Sequence, residues 1–566
     1  MPISRRDLLM MGGAFGLTSF ALAGCTANTQ QQIPQGSGSA SIDASAASNG
    51  ATLGVIAQTT AGPVRGYTYQ GVHTFKGIPY AKAERFGMPQ APDGWEVPRT
   101  CFVWGAICPQ TIAYESSPSV TAFSEHSDAD LKEREDECLN LNVWTKSLDG
   151  SAGKPVIVFI HGGGFTSGSS SEVFSYDGTN IVGDKDVVFV SVNHRLNCLG
   201  FLDLSAYGEE FRYSGNAGMA DLVAALKWVR DNIANFGGDP ENVTIVGQSG
   251  GGGKVLTLMA MPEAQGLFKR AWCMSGGISA RTQDEAVAQT AALVDQLGVT
   301  GNAPEALRAL SYSELAQAAA AAGFTDGPIV DGDYIPEQPV DPESGELSSV
   351  GADIPLIVST VFSEMTGPLP QLLFANPAAT SIADLYGGDI DAACQEVFGD
   401  HLDEVKEAFE AAYPEKAGDW VSMYYVNTAR NNDLVLAKAH QTDRVWQAVF
   451  AYELPVFGGM MSWHTGGDIP FIFRNVNRAS YLVAGDEENA RAFQEVTSTA
   501  LVNYATNGDP SSDSLPWDPF TEQQGETMIF DTESEVRGFH DQEFLKLVNE
   551  YGNYPQAGGP SGFLFS

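Results

Sequence analysis

Short apolar runs alternate along the chain with stretches of helical spacing. Val156–Ile160, Val187–Val192 and Val243–Val246 are rich in β-branched and aromatic residues with almost no polar alternation, the pattern of strands buried on both faces. Between the last two, Met219, Leu222, Val223, Leu226, Val229 and Ile233 recur at helical spacing, and Gly237-Gly238 closes that helix. A second apolar helical run, Val255 to Met261, follows the strand Val243–Val246. Extended runs are also expected at 354–364 and 445–452, and residues 283–325 and 381–440 are Ala-rich with a helical pattern. Strand–helix–strand alternation predicts an α/β fold with a large, mostly parallel sheet flanked by helices, the Ala-rich helices lying beside or over it. No internal repeat and no second linker interrupt the chain after residue 53. The acid-rich stretch 125–137 reads as a solvated loop.

The first residues break this pattern. Arg5-Arg6 with Leu8-Leu9, then a Gly-interrupted apolar stretch to Gly24, resembles an export signal of the twin-arginine type, which carries folded proteins across a membrane. Leu22-Ala23-Gly24-Cys25 resembles a lipobox, so residues 1–24 are expected to be removed and Cys25 to carry a lipid. Residues 25–52 are Gln, Ser, Ala and Gly with almost no large apolar group, and so are expected to be a flexible tether. Its span is about 30 Å. The folded domain is then 53–566, held at the outer face of a bacterial cytoplasmic membrane. No other stretch is long and apolar enough to span one.

Composition narrows the function. The 566 residues are 43% apolar and 18% charged, which suits a core-forming chain. Their net charge of −39 repels phosphate backbones and excludes nucleic acid as a partner. The same charge keeps the domain away from an anionic membrane, so attachment falls to the lipid.

Two glycine-rich motifs carry the chemistry. Gly247-Gln248-Ser249-Gly250-Gly251 fits G-x-S-x-G between a strand and a helix, the context in which a strained turn lifts a serine hydroxyl above a sheet edge. His161-Gly162-Gly163-Gly164-Phe165 follows the strand Val156–Ile160, and its glycines let backbone N–H groups approach a substrate oxygen. A phosphate loop would need Lys-Ser/Thr or G-x-G-x-x-G spacing, which neither motif has. Acyl transfer needs both a nucleophile and donors for the oxyanion.

Cys138-Leu-Asn-Leu-Asn-Val-Trp144, the HGGGF run, residues 216–240 and GQSGGGG at 247–253 together resemble the type-B carboxylesterase family, the cholinesterase-like branch of the α/β-hydrolase fold. FKGIPYA at 75–81 and NGDP at 507–510 extend the resemblance over about residues 53–535. It implies a large mixed sheet, a Ser-Glu-His triad and a gorge leading to Ser249. In this fold the acid and then the His follow the Ser. Of the histidines after Ser249, His401 and His440 lie in charged helical patterns and His540 lies beyond the resemblance. His464 sits in a Gly-rich loop after 445–452, and Asp468-Ile-Pro-Phe471 resembles the family's sequence after its catalytic His, one residue further on. Glu364 matches the family's strand-then-Glu segment, with Asp331, Asp333 and Glu337 as rivals and Ser275 as a hydrogen-bond partner.

The resemblance thus implies Ser249, His464 and Glu364 as triad and Gly163, Gly164 and Gly250 as oxyanion donors. It also implies a disulfide between Cys108 and Cys138, added after folding if export is of the twin-arginine type. Gln248 stands where cholinesterases carry Glu, which lowers any expectation of a choline ester. Asn193-His194-Arg195 departs from the family without an evident consequence. A non-catalytic binding relative would usually lack the nucleophile. The expected activity is hydrolysis of a small-molecule carboxylic ester with no cofactor, and no metal-ligand spacing is present.

Overall fold

The computed structural model describes residues 52–110, 132–341, 345–364, 390–425, 443–455 and 466–552. In chain order the strands are β1 (Thr52–Thr59), β2 (Gly62–Tyr69), β3 (Val72–Pro79), β4 (Arg99–Thr100), β5 (Asn140–Thr145), β6 (Lys154–Ile160), β7 (Val188–Val192) and β8 (Gly238–Gln248). They continue as β9 (Arg270–Met274), β10 (Arg281–Thr282), β11 (Ile329–Val330), β12 (Leu356–Val361), β13 (Val445–Phe450), β14 (Glu526–Phe530) and β15 (Glu535–Gly538). Among the described residues, thirteen of them form one sheet in the order β1-β2-β3-β5-β7-β6-β8-β9-β12-β13-β14-β15, with β4 beside β2; β10 and β11 pair separately.

The middle of the sheet, from β7 through β6, β8, β9, β12 and β13 to β14, is parallel. Antiparallel pairs close both margins. This is the large mixed sheet of the α/β-hydrolase fold. Every residue of β7, β9, β12 and β13 is buried, as expected of parallel strands covered on both faces.

The helix Ala217–Asn232 packs its apolar stripe inward, and a short 3₁₀ turn carries it on to Gly237 at φ +75°. Asp221 on this helix pairs with Arg195 through Nε at 2.8 Å and Nη2 at 2.7 Å, both side chains fully buried. The Ala-rich region 283–325 resolves into helices Gln283–Gln296, Ala303–Ala309 and Tyr312–Ala321. Within 381–440 the described helices are Ile390–Phe398, Leu402–Ala412 and Trp420–Tyr425. In the acid-rich stretch, Glu135 is not a free surface charge: its carboxylate accepts from Arg85 Nε at 2.7 Å.

Register brings the chemistry to one edge. Ile160 pairs with Gly247, Gln248 with Met274, Met274 with Ser359, and Val361 with Phe450. The strands run the same way, so the residues just past their ends, His161, Ser249, Ser275 and Glu364, emerge side by side. Ligand sites of open α/β sheets lie at this carboxyl edge.

Candidate active site

The helix expected from Val255 begins earlier, at Gly250, directly after Ser249. Glycine disfavours helix, but tertiary contact overrides propensity here. A Cβ on Gly251 would lie 2.1 Å from the Ile160 carbonyl oxygen, and one on Gly250 would lie 2.4 Å from Cα, N and O of Gly164. A Cβ on Gly247 would meet the Gly251 oxygen at 2.2 Å. The glycines are therefore what allow the helix N-terminus to press against the end of β6.

Ser249 itself has φ +58° and ψ −126°, a conformation costing on the order of 1–3 kcal/mol for a residue with a side chain. Its N–H donates to the Met274 carbonyl at 2.8 Å and its carbonyl accepts from Gly253 N–H at 3.1 Å. The turn is thus pinned on both sides while the Ser249 side chain remains half-buried and accessible.

Gly163 and Gly164 both have positive φ, +83° and +62°. The loop closes on itself: Gly163 O accepts from Thr166 N–H at 3.3 Å and Ser167 N–H at 3.0 Å. The N–H groups of Gly163, Gly164 and Gly250 donate to no acceptor among the described residues. A Cβ on Gly162 would lie 3.4 Å from the Cβ of Ser249, so this loop borders the hydroxyl-bearing side chain directly.

Glu364 is 7% exposed, three residues past the end of β12, and its Oε1 accepts from Val361 N–H at 2.9 Å. Burial pushes its carboxyl up to about 7, against the stabilising influence of Ser275 and the Val361 N–H. The Ser275 hydroxyl lies beside the carboxyl without a fully formed hydrogen bond. Ser275 is held at φ +47° with its N–H donating to Ser359 O at 2.6 Å.

The rival acids serve loops. Asp331 accepts from Asp333 and Ile335 N–H, each at 3.0 Å, and Asp333 pairs with Arg212 at 2.8 Å. Glu337 accepts from Ser348 Oγ at 2.8 Å and Ser349 N–H at 2.7 Å. Among the histidines, His401 is exposed and stacks on Tyr551. His540 follows β15 at the sheet margin, five strands from β8. His464, His440 and Cys25 lie outside the described residues. Gln248 is buried and brings no charge to the site.

The disulfide expected between Cys108 and Cys138 is not formed: both are buried free thiols. Each finds a backbone partner, Cys108 Sγ accepting from Leu196 N–H at 3.3 Å and Cys138 Sγ donating to Glu135 O at 3.4 Å. Burial holds the Cys108 thiol well above its ordinary value, which disfavours the thiolate that oxidation needs.

Three buried groups behind the loop were not anticipated: His161, His194 and Lys254. The two imidazoles stack at 5.0 Å, and Lys254 Nζ donates to His161 O at 3.1 Å. The available signal was a lysine inside a run of glycines and apolar residues.

The Carboxylesterase family model matches residues 54–547, so the resemblance extends past the expected end near 535. The chain is 30% identical over 519 residues to para-nitrobenzyl esterase of Bacillus subtilis (strain 168), covering 86% of this chain and 97% of that protein. It is 32% identical to phenmedipham hydrolase of Pseudarthrobacter oxydans, covering 82% and 92%. Among solved structures it is similar to an esterase from anaerobic Clostridium hathewayi that can hydrolyze aliphatic aromatic polyesters, with a TM-score of 0.77, 37% identity and coverage of 88% of this chain and 98% of that one. Matches of this length leave no large part of the described fold unaccounted for, and the chain belongs to the carboxylesterase family, a carboxylic ester hydrolase built on the α/β-hydrolase sheet.

Proposed function

We propose that Ser249 attacks the carbonyl of a small-molecule carboxylic ester, with His464 as base and Glu364 as the group that orients it. His464 takes the hydroxyl proton as the Ser249 Oγ–carbonyl bond forms. The oxyanion that results is held by the N–H groups of Gly163, Gly164 and Gly250. Collapse breaks the ester C–O bond, and the proton passes from His464 to the departing alcohol. Water then attacks the acyl-Ser249 ester by the same route, releasing the acid and restoring the serine. A carboxyl as deeply buried as Glu364 gains a reason to ionise when an imidazolium stands beside it.

The observation that carries this reading is the set of three N–H groups, unpaired among the described residues, bordering a strained, accessible serine. Each such donor is worth about 2.7–4 kcal/mol in a tetrahedral transition state. Ser249→Ala should reduce hydrolysis of a small activated ester by on the order of 10⁴-fold or more while the fold survives. His464→Ala should add little to that loss in the double variant, because the residues act as one unit. Full activity in Ser249→Ala overturns the assignment.

The relatives' names support a carboxylic ester as the substrate: one is a para-nitrobenzyl esterase, and the Clostridium hathewayi esterase can hydrolyze aliphatic aromatic polyesters. We also propose that the enzyme is exported and anchored through lipid on Cys25, at the outer face of a bacterial cytoplasmic membrane. The twin arginines, the lipobox and the polar tether support this. A diacylglyceryl group supplies the two chains that stable anchoring needs. Cys25→Ser should abolish lipid labelling, and an unmodified mature N-terminus downstream of Cys25 would contradict the anchor.

A further inference from the structure

Beyond Ile160 the chain leaves the sheet, and the carbonyls of residues 161–163 lose their strand partners. The first two are claimed by buried side chains and the third by the loop's own turn. Lys254 Nζ donates to His161 O at 3.1 Å. His161 Nδ1 donates to Gly162 O at 2.9 Å. Gly163 O takes the N–H groups of Thr166 and Ser167. A trans peptide is planar and points its N–H opposite to its C=O. Fixing the Gly162 carbonyl on the buried His161 ring, and the Gly163 carbonyl within the loop's turn, therefore fixes the N–H groups of Gly163 and Gly164 pointing the opposite way. Among the described residues, the first peptide of the series, at His161, has a single side-chain anchor, Lys254.

Lys254 is fully buried on the same helix whose Gly250 and Gly251 touch the loop backbone. Its ammonium end also lies 5.6 Å from the Phe165 ring, at the far end of the HGGGF run. Around it stand His161 past β6, His194 past β7, and Glu172, whose charge favours the ammonium form. Burial and the lysine charge together hold both imidazoles well below their ordinary range. A neutral His161 has one N–H, and the acceptor at Gly162 O fixes it on Nδ1. Burial lowers the Lys254 ammonium to about 7, yet the amine still donates, so the contact persists in either form.

We propose that Lys254 is a positioning residue for ester hydrolysis: from behind the loop it anchors the His161 peptide and so keeps the Gly163 and Gly164 N–H groups facing Ser249. This rests on the oxyanion-hole reading above. A buried lysine is a costly way to fill space, and a thioether of similar length would fill it as well. What Met lacks is the donor. Misplacement of catalytic groups by about 1 Å can cost on the order of 10²-fold.

The test compares the full-length enzyme with Lys254→Met on a nitrophenyl ester, and measures inhibition by a trifluoromethyl ketone, which forms the tetrahedral adduct. The expected result is a melting temperature equal to or above that of the parent, kcat lower by roughly 10- to 100-fold, and KM within about twofold. Ketone affinity should weaken by the same factor as kcat/KM. Lys254→Gln, which retains an N–H donor, should recover part of the loss. Full kcat in a folded Lys254→Met overturns the proposal, as does a loss that raises KM alone and leaves ketone affinity unchanged. If neither variant folds, Lys254 is a folding residue and the proposal fails. Hydrolysis that survives Ser249→Ala would instead overturn the underlying reading, so the two failures are distinct.

Discussion

At the Ser249 corner the chain is held by backbone against backbone; at the Glu364 corner it is held by side chains and the exclusion of water. Around Ser249, an added Cβ at Gly247, Gly250 or Gly251 would fall within 2.4 Å of main-chain atoms of the helix, the loop or a strand. Around Glu364, one carboxylate oxygen accepts the Val361 N–H at 2.9 Å, and burial raises the carboxyl to about 7 against the opposing effect of Ser275 and that N–H. The first corner is closed sterically, by main-chain contact. The second is chemically poised and sensitive to charge.

The contrast is broken most severely by volume. Gly251→Val should yield no stably folded enzyme, because the Ile160 carbonyl stands 2.1 Å from the new Cβ. Gly266→Ala, at φ +74° with nothing within 4 Å, should cost only about 1–2 kcal/mol. Thermal unfolding followed by circular dichroism separates the two. If both variants melt alike, steric closure is not what holds the Ser249 corner.

A charge change without a volume change tests the second corner. Glu364→Gln should fold and lose two or more orders of magnitude in kcat, on the order of the loss seen when a triad acid is made neutral. Glu337→Gln, whose parent carboxylate clasps Ser348 and Ser349, should stay within about threefold. Greater sensitivity at Glu337 would mean the wrong carboxylate has been chosen.

The pH dependence sharpens the same division. Glu364 must be ionised to orient an imidazolium, and its proton is bound more tightly than in water, so kcat/KM should fall as pH drops through about 7. A smaller effect concerns stability. Lys254 has a folded pKa of about 7 against an ordinary value of 10.5, so between these the unfolded chain binds the extra proton. Its contribution to stability therefore rises with pH across that window. Lys254→Met should remove this slope, making the variant's relative advantage largest at and below pH 7. A difference that does not vary with pH would contradict the burial of the ammonium.

How much of this could be read from the sequence differs between the two corners. The Ser249 corner was legible because its chemistry is local: a strand, G-x-S-x-G and HGGGF each carry their constraint within a few residues. The start of the helix at Gly250 was not, since intrinsic propensity argues against a glycine-rich first turn and only the contact with Ile160 explains it. Glu364 was legible by resemblance alone, because nothing near it in sequence distinguishes it from Glu337. The role of His194-Arg195 was invisible: one stacks on His161 and the other pairs with Asp221, both long-range contacts. The antiparallel margin β1–β3 was also missed, its half-exposed strands lacking the continuous apolar runs that marked the central ones.

The central claim is that Ser249 is the acyl-accepting nucleophile of this esterase. An activated organophosphonate offered to the purified enzyme, followed by intact mass and peptide mapping, tests it most directly. The account predicts one adduct per chain, located on Ser249, appearing in step with loss of hydrolysis and absent from Ser249→Ala. An adduct on another residue, or complete inactivation with Ser249 unmodified, would contradict it.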